Sequence, residues 1–165
     1  MEIREVLPDE CAEAGEVVRR AYLEFAEPSN PAWGGYLPVV ADVAGRAGRV
    51  PVLVAVEDGQ VLGCVTLELD EQRIGDDPEF PADAANVRML GVLPEARGRG
   101  IGRALMEACA DLARSRGKRA LLLHTTRPMR AARSLYRSMG FERDHHRDWD
   151  PPEEGVLLLA YRLVL

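Results

Sequence analysis

The chain has 165 residues, 47% of them apolar and 29% charged, with three cysteines and a formal net charge of −6. Those figures suit one water-soluble domain large enough to bury a proper core. They exclude a disulfide scaffold, a membrane-spanning apolar run and an overall basic nucleic-acid binder. The cysteines are widely spaced with no CxxC pair, and the N-terminal MEIREVLPDE is acidic and mixed. Reduced thiols, no secretory signal and a cytoplasmic location are therefore expected. The charge is uneven: residues 86–147 carry 14 Lys/Arg against 5 Asp/Glu, and the remainder 7 against 22.

In chain order, residues 1–7 alternate, with Ile3, Glu5 and Leu7 opposed to Arg4 and Val6, and predict a short strand. Pro8-Asp9 opens a helix with Asp9 as its cap, and Ala14, Val17, Ala21 and Phe25 recur at helical spacing to about Ala26. The break at 27–31 precedes a second helix over about 33–45, with Trp33 and Tyr36 beside Gly34 and Gly35 at its start. Those aromatics either line a pocket or cap the core. Residues 50–57 and 61–69 read as strands joined at Asp58-Gly59, a hairpin turn. Residues 71–85 are a long polar loop, either a lid or a plain connection.

Residues 86–93 form the next strand, and Ile101 to Arg116 a helix whose buried stripe is Ile101, Ala104/Leu105, Ala108/Cys109 and Leu112. Between them Gly98, Gly100 and Gly102 interleave with Arg97, Arg99 and Arg103. Glycines admit close approach of a ligand, and the unpaired amides of a helix start attract anions, so this turn is built for a phosphorylated ligand. No Lys follows the glycines, which excludes a P-loop. The dinucleotide pattern fails too, since its sixth position is Arg103 or Leu105. Ala120 to His124 is a buried strand, so strand, helix and strand make a βαβ unit with parallel neighbours. A helix over 129–139 ends at Gly140, Phe141 begins a strand, 144–155 holds a turn, and 156–165 is the last strand.

Arg97-x-x-Gly100-x-Gly102, followed downstream by Ala132, Tyr136, Gly140 and Phe141, resembles the GNAT superfamily of acyl-CoA-dependent N-acyltransferases. The order β-α-α-β-β-β-α-β-α-β-β is similar to that family's over nearly the whole chain. The resemblance implies a single domain over 1–165 of α/β (α+β) class. Its sheet is mixed and mostly antiparallel, of six to seven strands, flanked by about four helices, with a central parallel pair that splays apart. It implies acetyl-CoA as acyl donor and direct attack by a primary amine in a ternary complex. The basic segment suits that polyanion, and the acidic remainder a cationic acceptor. The acceptor is a small molecule or a peptide; neither nucleic acid nor membrane is expected as a partner, and the protein is a monomer or homodimer.

The cofactor residues so implied are Leu90, Gly91, Val92 and Leu93 at the strand end, Arg97, Gly98, Arg99, Gly100, Ile101, Gly102 and Arg103 in the loop, and Thr125, Met129, Ala132 and Tyr136. Many members carry Asn where Met129 stands, so one polar contact to the pantetheine arm is missing or comes from Thr125 or Thr126. The oxyanion donor is the main-chain N–H of Val92 or Leu93, and Tyr136 protonates the departing thiolate. A tyrosine near ~10 donates to a thiolate near ~8.5 only slightly uphill; the alternative is a tyrosine packed at a helix end. The base is open. Glu68 comes first, an exposed strand carboxylate being the alternative; Glu24, His124 and a water chain follow. Trp33, Tyr36, Glu68 and Trp149 are candidates for the acceptor. Adjacent His145 and His146 would point to opposite faces of a strand, so no metal is expected. Cys64 and Cys109 have no His partner in view, which argues against an acyl-cysteine. The competing class is an acyl-CoA-binding module without catalysis.

Overall fold

Asp58-Gly59 sets the first half of the sheet. Both residues take left-handed φ, 51° and 77°, the combination of a type I′ turn, whose twist matches that of the strands it joins. It connects β2 (Val52–Glu57) to β3 (Gln60–Glu68), with Glu57 opposite Gln60. The computed structural model describes residues 1–26, 31–69, 74, 80–151 and 155–165, and for 31–33 the backbone alone. β1 (Glu2–Glu5) pairs with β2, and β4 (Ala84–Val92) with β3, both antiparallel. β5 (Ala120–Thr125) lies parallel to β4; β7 (Leu159–Val164) returns antiparallel to β5, and β6 (Glu142–Arg143) closes that edge. The result is one seven-stranded mixed sheet in the order β1-β2-β3-β4-β5-β7-β6, the architecture the sequence predicts.

Five helices are described where about four were expected. α1 (Cys11–Leu23) is preceded by a 3-10 turn over Pro8–Glu10. Asp9 does not cap it; the Glu10 carboxylate instead accepts from the Leu7 amide at 3.0 Å and from Arg4 at 2.6–2.7 Å. The second expected helix is two, α2 (Pro31–Ala41) and α3 (Val43–Ala47), because Asp42 leaves helical geometry to accept from the Gly45 amide at 2.9 Å. Buried Arg46 consolidates the break. Its guanidinium donates to the carbonyls of Val39, Val40 and Asp42 at the end of α2 and to Thr66 on β3, so α2's orphan carbonyls find a donor. β4 begins two residues before the expected Asn86 because Ala84 and Ala85, both buried, pair with Ala120 and Leu121. Most of the expected 71–85 loop, and with it any lid, falls outside the described residues.

The two faces of the sheet follow from its glycines. A Cβ on Gly63 would press on Ile101 and Leu105 of α4 (Ile101–Ser115), and one on Gly91 would meet Val18 and Ala21 of α1. Strand alternation then puts Leu67, Leu121 and Leu123 on the α4 side, where they are buried with Leu105 and Met106. Each such side chain contributes roughly 1.5–3 kcal/mol relative to exposure. Thr66, Glu68, Asn86, Arg88, Leu122 and His124 face α1, since Thr66 pairs with Arg88, Glu68 with Asn86, and Asn86 with Leu122. α5 (Arg130–Ser138) follows β5 and packs Leu135 beside Gly102 at the start of α4.

Candidate functional site

The parallel pairing of β4 and β5 joins Ala84–Val87 to Ala120–Leu123 and stops there. Beyond it lies a cleft of about 360 Å³, in the size range of small-ligand sites. Its floor is the end of β4, including Leu90, Gly91 and Val92; α4's start and α5 form one wall, and the end of α1 the other.

At one end sits the glycine turn. Gly98 and Gly100 have φ of 77° and 80°, and nothing lies within 4 Å of where their Cβ atoms would be. The left-handed φ at Gly100 lets the chain turn into α4 without a Cβ penalty. The first intrahelical bond described at this end runs from the Ala104 amide to the Gly100 carbonyl at 3.0 Å, so the amides of Ile101, Gly102 and Arg103 come before the ladder and suit an anion. Arg97 lines the cleft and is held by Glu24 at 2.7 Å. Arg103 lines it too, donating to Ser138 on α5 at 2.7 Å. Arg99 turns away to pair with Glu57 on β2 and is not among the described residues of the cleft wall, contrary to expectation.

The strand end divides the two expected oxyanion donors. The Leu93 amide donates to the Leu62 carbonyl at 2.9 Å, so it is committed to β3. Leu93 is buried and absent from the described cleft wall, so its expected place beside the cofactor has no support in this geometry. In an antiparallel ladder the neighbouring pair, Val92 with Gly63, is then the non-hydrogen-bonded one. The Val92 amide therefore faces away from β3, into the gap that β5 has left. A register shift between Cys64 and Thr66 sets Met89 and Leu90 against one residue of β3, and Met89 carries a φ of 54°. This bulge bends β4 at the mouth of the splay, at a conformational cost of about 1–3 kcal/mol. No residue type at 89 or 90 announces it.

Along the α5 wall lie Met129, Ala132, Leu135 and Tyr136. Thr125 donates to the Met129 sulfur at 3.5 Å, so the substituted position engages the neighbour expected to compensate for it. Tyr136 is buried, its ring 5.7 Å from Phe141 and 6.2 Å from Tyr161. Burial pushes its phenol well above the ordinary value, which keeps it protonated and makes transfer of its proton to a thiolate more uphill than for a free phenol. Burial likewise pushes the Cys64 and Cys109 thiols up to about 12, and neither is among the described residues of the cleft wall.

The opposite wall differs from expectation. Glu68 is 1% exposed and does not line the cleft as described. Its carboxylate accepts from the Ile74 amide and from Asn86 Nδ2, both at 2.7 Å, and lies 3.7 Å from Arg88. It is thereby spent on fixing its neighbours, and the expected base role loses its geometric support. Trp149 pairs its backbone with Leu158 and lies outside the described wall. Asp148 is bound by Arg143 and by the Ala160 amide, so the 144–149 turn is anchored to β7. Tyr36 is not among the described residues of the cleft wall; its ring lies 6.2 Å from that of Tyr22, which is. The Trp33 side chain is outside the described residues. In their place stand Tyr22 from α1, Glu24 and Phe25 just past its end, Arg88 and Met89 from β4, and His124 from β5. Phe25 is visible in the sequence as a helical-face residue; Arg88 and Met89 carry no sequence signal.

The model of the acetyltransferase (GNAT) family matches residues 12–141. The chain is 37% identical over 89 residues to an IAA acetyltransferase of Azospirillum brasilense, covering 54% of this chain and 52% of that protein. It is 34% identical over 91 residues to a mycothiol acetyltransferase of Cellulomonas flavigena, covering 55% of this chain and 26% of that one. The matched part thus spans a quarter to a half of these relatives. The PaiA N-acetyltransferase of Thermoplasma acidophilum, solved in complex with coenzyme A, superposes with a TM-score of 0.74 at 17% identity over 98% of each chain. No described helix is long and apolar enough to cross a membrane.

Proposed function

The chain belongs to the acetyltransferase (GNAT) family, and on that premise we propose that it moves an acetyl group from acetyl-CoA to a primary amine by direct attack in a ternary complex. The observation that carries this reading is the end of β4–β5 pairing at Val87–Leu123. It opens a cleft with a helix start suited to an anion at one end and the Tyr136 phenol on its wall.

The residues divide the work. The amides of Ile101, Gly102 and Arg103, with the Arg97 and Arg103 guanidiniums, hold the donor's pyrophosphate. The open edge of β4 from Leu90 to Val92 takes the pantetheine arm, with Ala132 and Leu135 packing on it. The Val92 amide meets the negative charge that grows on the carbonyl oxygen, a contribution worth about 2.7–4 kcal/mol in comparable sites. Tyr136 gives its proton to sulfur as the C–S bond breaks. The amine enters from the α1 side, past Tyr22 and Phe25. The three cysteines are free and buried, which suits the cytoplasm.

The test is acetyl-CoA with a panel of primary amines, following thiol release and the mass of the product. One thiol released per acetylated amine is the expected result. Tight acetyl-CoA binding with no turnover on any amine would instead identify a non-catalytic acyl-CoA-binding domain.

A further inference from the structure

We propose that the His124 imidazole takes the proton of the attacking amine, a reading that rests on the acetyl-transfer assignment above. Its position is set by register. Val87 and Leu123 are the last paired residues of the two parallel strands, so Arg88 and His124 are the first beyond the fork. Alternation turns both toward α1, the side from which the amine enters, and both line the cleft.

The ring's hydrogen bond decides which nitrogen is available. His124 Nε2 lies 2.8 Å from the carbonyl oxygen of Arg147. A carbonyl only accepts, so Nε2 carries the hydrogen and Nδ1 of the neutral ring keeps its lone pair. Nδ1 points away from Arg147, and the same carbonyl steadies the ring once it is charged. The competing carboxylates have partners of their own. Glu24, the one acid among the described residues of the wall, pairs with Arg97 at 2.7 Å, and Glu68 is held by Ile74 and Asn86.

The step balances as follows. An ammonium N–H proton passes to Nδ1, and the freed nitrogen lone pair forms the N–C bond at the thioester carbonyl. The C–S bond breaks with its electron pair leaving on sulfur, which takes the Tyr136 proton. The second proton on the adduct nitrogen restores the tyrosine, and the imidazolium releases its proton to water. One acetyl group is transferred and one proton is released.

The test compares His124→Gln with the unaltered protein on two acceptors: an alkylamine, protonated at the assay pH, and an arylamine, already neutral. The side-chain amide of Gln can still donate to Arg147 but cannot act as a base. The expected result is a loss of about 100-fold or more in kcat/KM for the alkylamine, under about 5-fold for the arylamine, and an acetyl-CoA KM within about 2-fold. Equal losses on both acceptors, or none on either, would overturn the assignment. A second variant, His124→Ala, is assayed with added imidazole; recovery of the alkylamine rate supports the base role, and no recovery overturns it. Alkylamine turnover by the unaltered protein separates the two readings. Its absence defeats acetyl transfer itself, whereas turnover that survives in the variants defeats only the role of His124.

Discussion

The two walls of the cleft are made differently. The α4–α5 wall is written in two short runs, 97–103 and 129–136, and presents main-chain amides, small residues and one phenol. The α1 wall gathers Tyr22 of α1, Phe25 just past its end, Arg88 of β4 and His124 of β5, and presents side chains. A wall of backbone amides suits a fixed donor, because the required geometry is that of a helix start and leaves the other side chains free to vary. A wall of dispersed side chains can change one residue at a time, as acceptor recognition requires. The proposed function assigns the donor to the first wall and the acceptor to the second.

The largest break in that division is expected from Tyr136→Phe. Loss of the proton donor should lower kcat by about 100-fold or more, with acetyl-CoA affinity unchanged by calorimetry; an unaltered kcat would return Tyr136 to packing. Next comes Glu68→Ala. Removing a buried carboxylate that holds the Ile74 amide, Asn86 and Arg88 should cost about 3 kcal/mol in chemical denaturation. Glu68→Gln should lose much less stability and keep kcat within a few-fold; a collapse of kcat in the Gln variant would restore Glu68 as the base.

On the donor wall, Gly100→Val forces a β-branched residue into φ of 80°, a strain of about 1–3 kcal/mol. The acetyl-CoA KM should rise about 10-fold or more, with kcat retained at saturating donor, and an unchanged KM would disconnect the turn from the donor. The smallest effect belongs to neither wall. Hydrogen bonds from Arg4 and from the Leu7 amide hold the Glu10 carboxyl at about 2, against an ordinary 4.5. The folded state therefore binds that proton more weakly than the unfolded chain. Its stabilisation is complete above pH 4.5 and is lost as pH falls through 2. Thermal melts of Glu10→Gln should lie below those of the unaltered protein at neutral pH and converge with them near pH 2.

The same contrast governs how much of the molecule is legible in its amino-acid sequence. The glycine turn and the Tyr136 helix are local patterns, and of their candidate residues all but Arg99, which Glu57 draws off, are among those that line the cleft. The hairpin, the parallel pair and the element order are legible because Asp-Gly chemistry and strand–helix–strand spacing are local too. The α1 wall is not, because register fixes it. Which of Val92 and Leu93 offers its amide depends on a single bond from Leu93 to Leu62. That Arg88 and His124 share the fork depends on where pairing stops. Glu68 faces α1, yet Asn86 and Ile74 claim its oxygens. The division of α2 from α3 turns on a side chain–backbone bond at Asp42 that composition does not distinguish from helix continuation.

Direct reaction requires donor and acceptor to occupy the one cleft together. Initial velocities measured over a grid of acetyl-CoA and alkylamine concentrations test that requirement most directly. Double-reciprocal lines that intersect are the predicted result, as a ternary complex demands. Parallel lines, the pattern of a ping-pong reaction through an acetylated enzyme, would contradict it.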